Sequence, residues 1–287
     1  MELLKSLYKI HCPTGSEWPM IKFVLEYLDS YVPQAHVYLD SRGNMYICRR
    51  NILKEERKTG FPTLCCHLDQ VQKIHSEDFE VKERIYENPE TGKQHQELFG
   101  WSESRNAQEG LGADDKNGIW VCLKALEKCD HLKVFMSVGE EKGCWGSNRA
   151  MLDFFEDSLY ILEPDCKGGE EIRTLLRGVP VASKEFEEEL EAEKFGYVIT
   201  EGKTTDILPL TISGVGVSCA NIPCGYFNHH KDDEYCNVEE LNKCLNFVLF
   251  TITNLQKKFP HIYKTETQLW IENNRKVLNM YDKTTDI

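Results

Sequence analysis

Phe61-Pro62-Thr63-Leu64-Cys65-Cys66-His67-Leu68-Asp69 is the stretch that decides the fold. Residues 61–66 carry no charge and are too few for a helix, so they read as a short buried strand ending at His67. His67 and Asp69 stand two apart on extended chain, so both side chains point the same way. Two similar runs follow: Leu132–Val138 leads into Gly139-Glu140-Glu141-Lys142-Gly143, and Ser158–Leu162 leads into Glu163-Pro164-Asp165. Lys116–Lys128 has a helical pattern between them. Strand alternating with helix predicts an α/β fold: three αβα layers, with a mostly parallel central sheet flanked by helices.

The flanking sequence fits that frame. Glu17–Ser30 is an amphipathic helix with Ile21, Val24, Leu25 and Leu28 on one face. His36–Arg49 reads as a hairpin turning at Ser41-Arg42-Gly43-Asn44. Residues 71–110 are polar, with turns near Asn88-Pro89 and Thr91-Gly92, and read as an antiparallel hairpin excursion from the main sheet. Gly143–Phe155 is expected to be a helix, as is the highly charged Ser183–Phe195, whose acidic run reads as a solvated face. Two or three strands are expected between Tyr197 and Cys224, then a long closing helix over Val238–Lys258. Residues 259–287 read as a C-terminal extension. With no repeat and no low-complexity linker, residues 1–287 are expected to form a single catalytic domain.

Composition narrows the function. The 287 residues carry a net charge of −13, and no Lys/Arg cluster is long enough to track a phosphate backbone, so nucleic acid is excluded as a partner. No stretch approaches the roughly 18 apolar residues of a membrane span, and Met1-Glu2-Leu3-Leu4-Lys5 lacks an apolar signal core. Of the 12 cysteines, Cys65, Cys122, Cys129 and Cys219 sit in apolar runs and read as buried thiols, and no C-x-x-C pair exists. A reducing, cytoplasmic location is the expectation.

Five segments carry the chemistry: His67-Leu68-Asp69, Gly112-Ala113-Asp114-Asp115-Lys116, Gly139-Glu140-Glu141-Lys142-Gly143, Glu163-Pro164-Asp165 and Asn228-His229-His230. Each falls just after a predicted strand or between a loop and the next helix, at the end of an open parallel sheet where ligands collect. Carboxylates and imidazoles converging on one crevice would repel and raise their own pKa values unless divalent cations compensate. Mixed nitrogen and oxygen ligands favour zinc, with manganese or cobalt as substitutes. Asp69 can orient His67 from behind the site, and Asp114, opening a helix, could bridge two ions. Glu140 and Glu141 are adjacent and should diverge, so one would ligate metal and the other serve as general base. Asp115 could cap the helix at Lys116 or support the metal site. Tyr226, Phe227 and Tyr235 could line a substrate pocket or pack in the core.

In this order the segments resemble those of the co-catalytic di-zinc exopeptidase superfamily, the MH clan of tripeptidases, aminopeptidases and aminoacylases. Pro13-Thr14-Gly15-Ser16-Glu17 and Asp40-Ser41-Arg42-Gly43-Asn44 resemble its tripeptidase and glutamyl-aminopeptidase branches, and the match runs from about residue 3 to residue 255. The resemblance implies two Zn²⁺ ions: His67 and Asp165 on one, Glu141 and His230 on the other, Asp114 bridging. It implies that Glu140 is the general base and later the proton donor, that Asp69 supports His67, and that the Asp114–Asp115 peptide bond is cis. His230 is preferred to His229 because His230-x-x-x-Glu234 fits the family's last segment. One departure is large. About 64 residues separate Asp165 from His230, so 166–196 is expected to be a short segment in place of a lid domain, which leaves the oligomeric state open.

The expected function is therefore a zinc-dependent metallopeptidase acting on short peptides as an aminopeptidase or tripeptidase-like exopeptidase. An N-acyl amino acid deacylase using the same site is the rival enzyme. A non-catalytic zinc-binding interaction module is the rival of another class. Its signature would be loss of Glu140 or of a ligand, and none is lost.

Overall fold

The computed structural model describes residues 1–50, 60–87 and 92–264. In chain order, α1 (Glu2–Tyr8) and α2 (Trp18–Tyr31) lead into the hairpin β1 (Ala35–Leu39) and β2 (Met45–Arg49), then β3 (Phe61–His67). Next come β4 (Phe79–Glu87), β5 (Gln94–Ser102), β6 (Ala107–Glu109), α3 (Ala113–Lys128) and β7 (Leu132–Ser137). The rest is β8 (Ser158–Cys166), β9 (Glu171–Leu176), β10 (Val179–Pro180), α4 (Lys184–Glu189), β11 (Val198–Gly202), α5 (Ile207–Ile212), β12 (Cys219–Pro223), β13 (Tyr226–Phe227), β14 (Tyr235–Asn237) and α6 (Val238–Asn254).

The main sheet runs β1-β2-β7-β3-β8-β12-β9-β10, with β11 beside β9. Its centre, β7-β3-β8-β12, is parallel, and antiparallel pairs flank it on either side. β3, β7 and β8 are buried at every position, which is why they read as unbroken apolar runs without alternation. Parallel strands bring their carboxyl ends to one edge, and that edge holds His67, Glu140 and Asp165.

Helices pack on both faces. One core cluster joins β3, β7 and β8 to α1, α2, α3, α4 and α6 through residues such as Leu7, Val24, Leu123, Phe186 and Phe247. The other face is thinner: α5 and a few short turns cover Cys65, Phe135 and Ile161. α2 buries Met20, Ile21, Val24 and Leu28, each contributing roughly 1.5–3 kcal/mol of hydrophobic stabilisation. α6 starts where the Asn237 side chain accepts the Glu240 N–H at 3.0 Å, a cap that contributes about 1 kcal/mol.

The 71–110 excursion is a second sheet, β13-β14-β5-β4, with β6 beside β5. It is larger than the hairpin expected, because β14 joins from far along the chain and pairs Tyr235 with Phe99 and Asn237 with Glu97. The turns expected near Asn88-Pro89 and Thr91-Gly92 fall largely outside the described residues, as does the C-terminal extension beyond residue 264.

Several local expectations need correction. Gly143–Phe155 is not a helix but a set of 3-10 turns at Glu140–Lys142, Ser147–Arg149 and Leu152–Phe155. Gly143 and Cys144 have φ of +88° and +54°, and the N–H groups of Trp145 and Gly146 bond back to Gly139 and Val138 at 2.9 Å. Those donors are thereby withdrawn from any helical ladder. Ser183–Phe195 breaks at Glu191, where φ is +50°, so α4 is short and a 3-10 turn follows it. α5 was missed between the strands β11 and β12, because Ile207-Leu208-Pro209-Leu210 is apolar throughout and has no helical period. Pro209 is tolerated there in the first turn. β8 runs on to Cys166, so Asp165 lies within a strand and not in a turn after it. α6 stops at Asn254. Cys129 is only half-buried, and none of the twelve cysteines forms a disulfide.

Candidate metal centre

His67 ends β3 and is 1% exposed. Its Nδ1 lies 3.0 Å from the carbonyl oxygen of Asp69. A carbonyl only accepts, so Nδ1 carries a proton, and Nε2 faces Asp114 Oδ1 at 3.1 Å and Asp165 Oδ1 at 3.6 Å. Asp114 comes from the irregular first residues of α3. Gly112 before it has φ +63°, Asp114 itself is non-helical, and the Asp114–Asp115 peptide is cis, as the resemblance implied. Its other oxygen, Oδ2, lies 3.2 Å from His230 Nε2. His230 Nε2 is also 3.0 Å from Glu141 Oε1. The structure thus gathers two sets of candidate ligands that share Asp114: His67-Asp114-Asp165 and Asp114-Glu141-His230.

The donor sets fit cations. Glu141 Oε1 is buried, and its one polar neighbour among the described residues is His230 Nε2 at 3.0 Å, off the line of a good hydrogen bond. Burial, with Asp165, Asp206 and Asp114 nearby, pushes the Glu140 carboxyl up to about 9 against the pull of His67. Burial and Asp114 push Asp165 up to about 7, and burial raises Glu141. Burial pulls the His67 pKa down, but Asp165, Asp114 and Asp69 outweigh it and hold the ring well above its ordinary value. The carboxylates of Asp114 and Glu141 beside it lift His230 to about 10. Divalent cations between these groups would relieve the crowding of carboxylates, and mixed imidazole–carboxylate sets suit zinc, manganese or cobalt.

Buried acceptors hold this arrangement. Asp69 Oδ2 accepts from Thr14 Oγ1 at 2.7 Å and the Glu141 N–H at 3.3 Å, while Oδ1 accepts the Glu140 N–H at 3.0 Å. Its pKa is lowered, because His67, Thr14 and the Glu140 N–H outweigh the effect of burial. Asp69 therefore supports the Glu140–Glu141 turn as well as His67. Asp115 accepts the N–H of His67 at 3.1 Å and that of Gly118 at 2.9 Å, so it caps α3 and supports the site at once. Thr205 Oγ1 donates to Asp165 Oδ2 at 2.9 Å. Sequence reasoning gave no role to Thr14 or Thr205, since a lone threonine leaves no pattern. Glu234 entered only as part of a spacing. It is fully buried and takes the N–H groups of Gly112 and Ala113 at 2.6 and 3.1 Å, fixing the loop that presents Asp114.

One pleat deeper, the same strands place Cys65 and Glu163 beside Asp206. Ser137 and Ser147 donate to Asp206, and burial with Asp165 and Asp206 keeps Glu163 well above the usual carboxylate range.

The centre opens into a cleft of about 570 Å³, lined on the near side by Asp114, Glu140, Glu141 and Asp165. Tyr226 lines it too, and its hydroxyl is 3.4 Å from Asp165 Oδ1. Phe227 and Tyr235 instead stack on each other at 5.1 Å. His229 is in the cleft but belongs to neither ligand set.

No protein-family model and no curated protein matches the sequence. Solved structures do match. Aminopeptidase PepT from Bacillus cereus ATCC 10987 superposes with a TM-score of 0.67 over 88% of this chain and 97% of its own, at 15% identity. A tripeptidase from Staphylococcus aureus gives 0.64 over 89% and 97% at 12% identity. An aminopeptidase from the archaeon Desulfurococcus kamchatkensis gives 0.62 over 88% and 93% at 18% identity. The chain thus shares the fold of these peptidases, a central, mostly parallel sheet flanked by helices. No helix among the described residues is long and apolar enough to cross a membrane.

Proposed function

We propose that this chain is a metal-dependent exopeptidase that hydrolyses short peptides, an aminopeptidase or tripeptidase-like enzyme. The observation that carries the reading is Asp114, whose two oxygens each face a different histidine, with a further carboxylate completing either set. His67 and Asp165 would hold one Zn²⁺, Glu141 and His230 the other, and Asp114 both. Bound cations would supply Lewis acidity, making water more acidic and stabilising negative charge on a carbonyl oxygen.

The chain's own residues do the rest. Glu140 is half-buried at the cleft and binds no cation in this scheme, so it is free to take a proton from water and return it to the leaving amine. Without cations its carboxyl is pushed up to about 9 by burial and the neighbouring carboxylates; bound dications would pull it back down, leaving a carboxylate able to take that proton. Asp69 fixes Glu140 through the backbone N–H. The segment 166–196, which would stand in place of a lid domain, contributes Lys167 and Arg173 to the far wall, and cysteines without disulfides agree with a reducing cytoplasm. The test is Glu140→Gln. Metal content and fold should persist while turnover of tripeptides and aminoacyl-anilides falls by about 10²–10⁴-fold. Full activity in that variant would remove Glu140 from the mechanism. N-acetyl amino acids assayed alongside separate a peptidase from a deacylase, and zinc-loaded protein inert on every substrate would favour an interaction module.

A further inference from the structure

The far wall of the cleft has a charge unlike the rest of the molecule. In a chain of net charge −13, the wall beyond the candidate ligands presents Lys167, Arg173 and Lys203 against one carboxylate, Glu201, which is engaged by the Gly178 N–H at 3.2 Å. Arg173 is built into place. It lies on β9 opposite Asn221 of β12, and its side chain is 14% exposed. Its stem packs over Gly202, where an added Cβ would come within 2.3 Å of Arg173 Cδ. One Arg173 Nη is 3.4 Å from Glu171, yet its Nε is buried with no partner, and so is the neighbouring Asn221 Oδ1. An unmatched donor and an unmatched acceptor on residues paired across β9 and β12, both lining the cleft, are costly unless a ligand pairs with both.

We infer that this wall is a carboxylate subsite: Arg173, with Lys167 and Lys203 at the rim, binds a free carboxylate of the peptide, and Asn221 Oδ1 accepts a peptide N–H. This rests on the exopeptidase reading and narrows its substrate class to short peptides that carry a carboxylate. A guanidinium suits that task because its fork matches carboxylate geometry. The carboxylate comes either from the peptide's own C-terminus or from an acidic side chain, and the same chemistry serves both.

The experiment compares metal-loaded wild type with Arg173→Met and Gly202→Ala on three substrates: trialanine as the free acid, trialanine amide, and an amidated tripeptide containing one glutamate. Wild type should prefer the acid to the neutral amide by about tenfold or more in kcat/KM, the scale of one charge-assisted hydrogen bond. Arg173→Met should raise KM for the acid by about the same factor, with little change in kcat and none on the neutral amide. Gly202→Ala, which displaces the guanidinium without removing it, should move KM in the same direction. Glutamate-peptide amide cleaved as well as the free acid assigns the subsite to side chains; cleaved as poorly as the neutral amide, to the C-terminus. Equal wild-type efficiency on all three, or an equal loss on all three in Arg173→Met, overturns the inference. If wild type cleaves none of them, the exopeptidase reading fails. Calorimetric binding of trialanine acid against its amide, in wild type and Arg173→Met, then decides the subsite by itself.

Discussion

Asp69→Asn probes the centre at its most connected support. Replacing one carboxylate oxygen by NH2 leaves two side-chain orientations. With the amide nitrogen at the Oδ1 place, it confronts the Glu140 N–H; at the Oδ2 place, it confronts the Glu141 N–H. Either way one backbone donor of the Glu140–Glu141 turn loses a charged acceptor and meets another donor. Losing a hydrogen bond to a charged group costs about 1.5–3 kcal/mol, and stranding a buried donor adds about 1–3 kcal/mol. A total near 3–5 kcal/mol corresponds to roughly 6–20 °C in Tm for a chain of this size. The Nδ1 of His67 keeps its partner, because that partner is the Asp69 backbone carbonyl. Metal affinity should therefore fall less than kcat, which should drop about 10–100-fold as Glu140 shifts. Scanning calorimetry of the metal-loaded protein, chelator competition and tripeptide turnover measure the three quantities. Unchanged Tm and kcat, or loss of metal with kcat intact after reloading, would refute the account of Asp69 as the anchor of the turn.

Gly118→Ala should be severe for a residue far from any substrate. Its Cβ would lie 2.3 and 2.4 Å from the oxygens of Asp115 and 2.4 Å from the Pro164 carbonyl, and overpacking of this kind costs about 1–3 kcal/mol or more. A lowered Tm together with weakened metal binding is expected, and a near-normal Tm would contradict the packing. Stripping the metal should make stability depend on pH. Glu140 at about 9 and Asp165 at about 7 are raised above their unfolded values, so the folded state holds extra protons from about pH 4 upward. The metal-free Tm should therefore fall as pH rises through 7–9, while the loaded protein changes far less. Loading near pH 7 should release protons, and affinity should rise with pH, seen by calorimetry in buffers of different ionisation heat.

How much of this could be read from the sequence follows from where the physics is local. Residues 61–67 and 132–137 are buried on both faces, so the chain has no polar alternation there and the strands are plain to see. His67, Asp114, Glu141, Asp165 and His230 were singled out because chemistry-bearing residues recur at strand ends, and the structure does bring them together. Residues 143–155 failed because the turn there is dictated by the backbone of Val138 and by Asn44, which is distant in sequence; an added Cβ at Gly146 would strike both. α5 failed because it is too short for a period to show. Arg173 and Asn221 were invisible for another reason: each looks like an ordinary strand residue until β9 and β12 are laid side by side. Glu234 had a spacing but no role, since its task is to receive backbone donors, which leave no trace in side-chain letters.

The ligands do not all come from one sheet. Glu141 follows a strand of the nine-stranded sheet, whereas His230 sits on the loop between β13 and β14, which belong to the smaller one. A dication clasped by this pair would act as a rivet between two plates, so occupancy and the alignment of the plates become a single equilibrium. Emptying that position should loosen the smaller plate first, and a protease would find its strands before it found the rest of the molecule.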